Sequence, residues 1–342
     1  MKVLVTGAGG FLGRRVAAAL AGAGHDVRAL VRPGRDARAL GLAPPIEPFV
    51  ADLRHAADLD RALEGVDAVV HLAAAMSGSD AIRFADTVIA TERLFDAMAR
   101  SSVRRLVLCS SFSVYDWTRA RGVVDESLPL RERPYDCGGY ASAKVWQERL
   151  AERRAAELGW ELTILRPGFI WGDANPCPDD TYGRTVGGLH LVFGPLRRPA
   201  LTHVDNCADA FRAALESPAS VGRAINVTDA DDVTAWRFLG DHVARSGRGG
   251  RRVPIPYAFV ALLAFAVQRV AALVWGARAK LPSLFARGSF AEGYRPRRHA
   301  RARLEALLPA HRPGDYATCL DRTYPPRARS SAARAPEEPH RP

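Results

Sequence analysis

The sequence predicts an α/β fold: a doubly wound parallel sheet with a smaller, mostly helical C-terminal lobe. Three observations predict it. Short apolar runs alternate with segments of helical periodicity across residues 1–172, the rhythm of strand–helix–strand units with helices on both faces of a sheet. A glycine turn, Gly7-Ala8-Gly9-Gly10-Phe11-Leu12-Gly13, separates the first apolar run from the first helical segment. The chain has 342 residues, 48% of them hydrophobic, enough for one large α/β domain and an attached lobe.

Each element follows from its local pattern. Residues 2–6 form a continuous apolar run bounded by glycine, which reads as a buried strand. Leu12, Val16, Ala19 and Leu20 recur at helical spacing, and Gly22 and Gly24 end that helix. Residues 26–31 are a second strand, stopped by Arg32-Pro33-Gly34, and 49–51 a third, ending at Asp52-Leu53. A short helix over 56–63, a strand over 68–72, a helix over 86–100, a strand over 105–109, a helix over 141–158 and a strand over 162–165 continue the alternation. Beyond Gly172 it lapses. Residues 173–201 are rich in Pro, Gly and Asp and read as a loop region of the substrate lobe. A helix over 205–216 and a strand over 224–227, within a segment 202–228, are expected to return to the main sheet. Residues 229–322 supply the rest of the lobe. Residues 323–342, rich in Pro, Arg, Ser and Ala, read as a disordered tail.

Charge is uneven. The net charge is +11, but residues 245–342 carry 19 Lys and Arg against 6 Asp and Glu, whereas residues 1–244 carry 29 against 31. No zinc-finger spacing, RNA-binding signature or basic heptad region accompanies the basic end, which disfavours nucleic acid, so no nucleic-acid partner is expected. The five cysteines (109, 137, 177, 207 and 319) are widely spaced and odd in number, the usage of reduced thiols in a cytosol. The start of the chain enters a strand directly and reads as lacking a signal peptide. A cytoplasmic location is expected. Residues 255–275 read IPYAFVALLAFAVQRVAALVW, apolar enough to approach a spanning helix but carrying Gln268 and Arg269. The two readings are a buried lobe helix and a peripheral membrane contact beside the basic tail. His71, His190 and His203 have no metal-ligand spacing, so no metal is expected, and Asp179-Asp180 reads as a solvated loop pair.

Gly7, Gly10 and Gly13 give GxxGxxG between a strand and a helix, where the motif has a physical meaning. The first glycine permits the turn, the second lets backbone approach a pyrophosphate, and the third packs the helix on the sheet. The helix N-terminal amides then meet the phosphate charge. At the end of the second strand, where an acidic residue would hold ribose hydroxyls of NAD, stand Val31 and Arg32. An arginine there suits a 2′-phosphate, so NADP is preferred over NAD. Asp52 and Leu53 are placed to contact adenine.

Tyr140-Ala141-Ser142-Ala143-Lys144 is a YxxxK motif opening a helix, with both side chains on one face. The chain has only three lysines, Lys2, Lys144 and Lys280, which makes this spacing less a product of abundance. A phenol with an ordinary pKa of about 10 is a poor base at neutral pH, but a neighbouring ammonium stabilises phenolate. Tyr140 can then exchange a proton with a hydroxyl or carbonyl. Ser111, after the fifth strand, is placed to hydrogen-bond that oxygen, and Ser113 is the weaker candidate.

Together these segments resemble the extended short-chain dehydrogenase/reductases, in the branch of nucleotide-sugar epimerases, dehydratases and 3β-hydroxysteroid dehydrogenase-like enzymes. The residues are TGAGGFLG at 6–13, ADL at 51–53, HLAA at 71–74, SSFSVY at 110–115, YASAK at 140–144, LRPGFIWG at 165–172, THVDNCADA at 202–210 and INVTD at 225–229. The resemblance implies a Rossmann domain over 1–172. It implies backbone contacts from Phe11 and Leu12 to the pyrophosphate, cofactor contacts from Leu72, Ala73 and Ala74, a Lys144 bond to the nicotinamide ribose, and Pro167 against the nicotinamide ring. The sequence departs from the family pattern at Thr87-Val88-Ile89-Ala90-Thr91, where Asn-Val-x-Gly-Thr is frequent, and at Asp205-Asn206, where two aspartates are frequent.

Three functions fit. The first is an oxidoreductase moving a hydride between nicotinamide and a carbonyl or secondary alcohol, with Tyr140 as acid/base beside Lys144 and Ser111. The second is a nucleotide-sugar epimerase or dehydratase with transiently reduced NAD. The third is a non-catalytic dinucleotide-binding regulator, disfavoured by the intact Ser111, Tyr140 and Lys144. The apolar 255–275 segment favours a hydrophobic small-molecule substrate, while Arg184, Arg197 and Arg198 suit a sugar diphosphate. A homodimer is compatible with this architecture.

Overall fold

The computed structural model describes residues 1–36, 41–42, 44–133, 138–175, 183–230, 232–247, 249–275, 285, 290–291 and 293–325. Cys137, Cys177, Asp179-Asp180, the Arg184 side chain and the tail from 326 onward lie outside them.

Seven strands form one parallel sheet: β1 (Lys2–Thr6), β2 (Asp26–Val31), β3 (Glu47–Val50), β4 (Ala68–His71), β5 (Arg105–Cys109), β7 (Glu161–Pro167) and β12 (Arg223–Val227). Their order is β12-β7-β5-β4-β1-β2-β3. The chain winds one way from β1 through β3, then returns past β1 to wind the other way. The neighbours β1 and β4 therefore flank the point where the winding reverses, where ligands collect beyond the strand C-termini. β1, β4 and β5 are buried along almost their whole lengths, which explains their uninterrupted apolar runs.

Helix α1 (Phe11–Gly22) and helix α6 (Val204–Glu216) pack on one face with Val16, Leu20, Phe211 and Leu215. Helices α2 (Ala56–Ala62), α4 (Ala90–Arg100) and α5 (Gly139–Leu158) cover the other with Leu59, Leu94, Phe95 and Leu150.

The helix read over 86–100 is two pieces, a π turn over Ala85–Ile89 and α4, and a further short helix, α3 (Asp80–Phe84), leads into it. The Thr91 hydroxyl donates to the Thr87 carbonyl at 2.5 Å, and Thr87 Oγ1 accepts the Ala75 N–H at 3.0 Å. The π turn lies in the stretch where the sequence departs from Asn-Val-x-Gly-Thr. Such turns are rare and concentrate at functional sites.

The lobe holds more strand than its composition suggested. β9 (Gly183–Val186) and β10 (Leu189–Phe193) form an antiparallel hairpin, and β13 (Arg251–Ile255) adds in parallel. The two-residue turn is Gly187-Gly188 with φ of +55° and +79°, the left-handed pair that matches strand twist. The abundance of glycine and proline in the stretch disguised this hairpin as a loop. Two smaller pairings complete the lobe: β8 (Phe169–Trp171) with β11 (Leu201–His203), and β6 (Val123–Val124) with β14 (Arg298–His299). Helix α7 (Ala235–Ser246) and the helix Tyr316–Thr323 pack Phe238, Tyr316 and Leu320 around the fully buried Trp171. The tail begins later than read. Thr323 is buried, and Tyr324 reaches His242 Nδ1 at 2.9 Å.

Helix α8 (Tyr257–Trp275) behaves differently. Val260, Ala264 and Ala271 face the lobe, while Phe259, Leu262, Phe265, Val270 and Leu273 are exposed, Leu273 at 88%. The reading of 255–275 as a buried lobe helix is therefore corrected: only a narrow stripe packs inward.

Candidate functional site

At the β1/β4 reversal a single cavity of about 1230 Å³ runs across the strand ends. Its floor is the glycine turn. Gly7 has φ +69°, and a Cβ there would lie 2.9 Å from Ala73 N. A Cβ on Gly13 would lie 2.0 Å from the Gly7 carbonyl oxygen. These two positions accept no side chain, and Gly10 N–H closes the turn on Gly7 O at 2.9 Å. Helix α1 begins at Phe11 with no side-chain cap and no acidic residue in its first turn. Its first N–H groups meet no protein anion, so the turn fits a pyrophosphate by shape and by charge.

Gly7, Gly10, Phe11, Leu12 and Gly13 all line the cavity, as do Leu72, Ala73 and Ala74 beyond β4. At the far end stand Arg32, exposed after β2, together with Arg35, Asp52 and Leu53. The Asp52 carboxylate accepts the Arg54 N–H at 2.9 Å and its guanidinium at 2.7 Å. Those bonds to Arg54, opposed by partial burial, hold its pKa at about 2. Pro167 is the exception: it is buried at the end of β7, paired with Val227, and does not line the cavity. The chain turns outward just after it, so Gly168 and Phe169 take the exposed place.

Ser111, Tyr140 and Lys144 line the same cavity. Ser111 opens a single 3-10 turn, and its Oγ accepts the Ser113 N–H at 3.2 Å. Ser113 also reaches the cavity. Tyr140 lies one residue into α5 and is half-buried. Lys144, one turn further in, is 2% exposed. Its Nζ donates to the Cys109 carbonyl at 2.7 Å and to Gln147 Oε1 at 2.8 Å. Burial pushes the Lys144 pKa down. An ammonium has three donors, so one remains for the cavity it lines.

Gln147 was not among the expected site residues. It is fully buried, and its Nε2 reaches Thr91 Oγ1 at 2.8 Å and His71 Nε2 at 3.1 Å. The Thr91 hydroxyl proton is committed to Thr87, so its oxygen accepts from Gln147 Nε2 and lies 2.8 Å from His71 Nε2, while His71 Nδ1 lies 2.6 Å from Thr6 Oγ1. Burial, and then the Lys144 charge, pushes the His71 pKa down to about 3, so the ring is neutral. This chain of buried bonds ties Lys144 to β1, β4 and α4. A glutamine three residues after a lysine carries no sequence signal. Only the fold brings it to the ammonium.

Asn206, the departure from a paired aspartate, donates to Asp229 Oδ1 and to the Gly314 carbonyl, both at 2.9 Å, and accepts the Gly314 N–H at 2.8 Å. An ionised aspartate could make only the last of these bonds. Among the described residues no group of His, Cys, Asp and Glu is arranged to hold a metal.

Comparison with known proteins agrees with this architecture. Residues 3–228 match the NAD dependent epimerase/dehydratase family. The chain is 36% identical over 247 residues to a 4-hydroxy-2-methyl-3-oxo-4-farnesyl-3,4-dihydroquinoline-1-oxide ketoreductase of Stigmatella aurantiaca, covering 70% of this chain and 71% of that protein. It is 33% identical over 253 residues to a 3β-hydroxysteroid dehydrogenase/Δ5→4-isomerase of Mycobacterium tuberculosis, covering 69% and 67%. Its fold superimposes on UDP-glucuronic acid 4-epimerase from Bacillus cereus, solved with UDP-glucuronic acid and NAD, with a TM-score of 0.68 at 20% identity over 95% and 98% of the two chains. Family model, named reductases and dehydrogenases among its relatives, and sheet topology converge: this chain is an enzyme of the NAD-dependent epimerase/dehydratase family, within the extended short-chain dehydrogenase/reductases.

Proposed function

We propose that the protein is an oxidoreductase acting on a carbonyl or secondary alcohol, with Tyr140 as its acid/base. The observation that carries this reading is the convergence of Ser111, Tyr140 and Lys144 on the cavity whose floor is the glycine turn. The nicotinamide dinucleotide supplies or accepts the hydride when bound. Ser111 Oγ, which accepts the Ser113 N–H, keeps its own proton to donate to the substrate oxygen. Tyr140 gives that oxygen a proton in reduction and takes it in oxidation. Lys144 places a buried positive charge on the helix face that Tyr140 shares, and Gln147 fixes its direction. The similar ketoreductase and steroid dehydrogenase are named for net redox reactions, which favours net redox over epimerisation. The test is incubation with NADPH or NADH and a panel of carbonyl compounds. Loss of reduced-nicotinamide absorbance is expected. Interconversion of a nucleotide sugar with no net cofactor change would sink the reading.

For the cofactor we propose NADP. Arg32 and Arg35 line the adenosine end, β2 ends in valine and arginine, and the nearby carboxylate Asp52 is already taken by Arg54. An Arg32→Asp variant is expected to weaken NADPH by roughly tenfold or more, the loss of one charge-assisted pair, while leaving NADH nearly unchanged. Equal loss for both cofactors, measured by fluorescence titration, refutes the 2′-phosphate role.

Helix α8 supports a peripheral membrane contact. Its exposed apolar residues spread around most of the helix, with Arg269 the single charge among them. A partner helix covers a stripe, whereas a lipid surface accepts a broad arc. Arg251 and Arg252 precede it and Arg298 follows, matching anionic headgroups. Tyr294, beside the cavity-lining Gly293 and Arg295, packs in the same cluster as α8 residues Val260 and Ala264, which sets the cavity near this surface. Co-sedimentation with vesicles containing anionic lipid is expected, and Leu262→Asp with Leu273→Asp should abolish it. Binding unchanged by the double substitution rules this surface out.

A further inference from the structure

The substrate end of the cavity carries an electrostatic imbalance that dinucleotide binding does not explain. Arg297 lines it and is 8% exposed. Its guanidinium donates to two backbone carbonyls, those of Ala291 and Trp117, and lies 5.3 Å from the centre of the Trp117 ring. Its Nε is buried with no partner. Arg295 lines the same wall. Among the described residues, neither arginine forms an ion pair. Burial, and then repulsion from Arg295, pushes the Arg297 pKa down to about 10. The carboxylates that line this cavity among the described residues, Asp52 and Asp86, sit with Arg54 at the adenosine end. A buried guanidinium without a counter-ion is costly, and the exposed Arg295 beside it adds a like charge.

This wall adjoins the reacting group. Trp117 Nε1 donates to the Phe112 carbonyl at 3.0 Å, the His299 ring lies 5.7 Å from that of Phe112, and Phe112 follows Ser111. β14, which begins one residue after Arg297, is tied to β6. Arg297 is therefore anchored on the loop that presents Ser111, rather than on a mobile surface.

We propose that the substrate carries an anionic group, a carboxylate or a phosphate, in addition to its reacting carbonyl or alcohol, and that Arg297 and Arg295 hold it. A planar guanidinium gives a carboxylate or phosphate two parallel hydrogen bonds, and the anion supplies the missing counter-charge. The inference rests on the redox reading for the identity of the reacting group, but not for the binding of the anion.

The test uses the full chain saturated with NADP, so that the cofactor's phosphates are already placed. Calorimetry compares a long-chain 4-oxoalkanoic acid, its methyl ester and the matching 4-oxoalkyl phosphate, and kcat/KM is measured for each with NADPH. One of the two anions is expected to bind at least tenfold tighter than the neutral ester, and which one identifies the group. Arg295→Gln is expected to remove most of that preference while leaving the ester unchanged, and Arg295→Lys to keep part of it. Arg297→Lys, with folding checked by thermal melting, should weaken anion binding and leave Arg297's charge in place. Equal binding of both anions and the ester, or equal loss for all three in Arg295→Gln, overturns the proposal. Anion-selective binding without hydride transfer to any of the three would leave this proposal standing and count against the redox reading instead.

Discussion

Tyr140→Phe is expected to remove turnover while the protein still binds its dinucleotide. The phenylalanine keeps the ring and its packing at the start of α5 and deletes only the hydroxyl, in a cavity that also exposes Ser111 and Lys144. Loss of a positioned acid/base costs about 10² to 10⁴ in rate. The loss should fall on kcat, because the glycine turn and the N-terminus of α1, which fit the cofactor's pyrophosphate, are built from other elements. Two controls make the result specific. The thermal midpoint should match the parent, and the cofactor Kd from fluorescence titration should change little. Ser111→Ala should lower the rate less, because a hydrogen-bond donor is lost but proton transfer is not. A Tyr140→Phe variant as active as the parent would end the mechanism.

What could be read from the sequence was what local geometry determines. The GxxGxxG turn was legible because its three roles depend on backbone within seven residues, and the structure shows Gly7 and Gly13 with no room for a Cβ. The parallel sheet was legible because its central strands are buried on both faces and therefore uniformly apolar. The β9–β10 hairpin was not, because its glycines signal a turn and a loop equally well. The partners of Lys144 were not legible either. Gln147, Thr91, His71 and Thr6 stand on four different elements, and each is an ordinary polar residue until the sheet closes. At Pro167 the cavity wall itself is formed by the next two residues, Gly168 and Phe169, where the strand leaves its sheet. Arg297 lies far beyond the family motifs, and only the pairing of β14 with β6 carries it back to the Ser111 loop.

The largest expected effect on stability comes from a residue one turn beyond Lys144. Glu148 is fully buried on α5 and accepts two bonds from Arg166 of β7, at 3.0 and 2.7 Å. Arg166 also donates to the Tyr115 hydroxyl at 3.1 Å, and that hydroxyl donates to Asn226 Oδ1 on β12 at 2.7 Å. Burial works against the Arg166 charge, but Glu148 outweighs it and raises the guanidinium pKa. Removing the carboxylate reverses that balance and leaves an uncompensated buried cation. Glu148→Ala is therefore expected to cost about 3–5 kcal/mol in denaturant unfolding. Glu148→Gln, which keeps the shape and one acceptor, should cost less. The cost belongs to the stranded charge rather than to the pair itself, so the double variant Glu148→Met with Arg166→Met should recover much of it. A single Glu148→Ala loss below about 1 kcal/mol would mean that water or a neighbouring group solvates Arg166, and the pair would then be incidental to the fold. The pair also anchors α5 to the sheet close to Tyr140 and Lys144. Glu148→Gln should accordingly lower kcat before it lowers cofactor affinity, because the glycine turn does not depend on this helix.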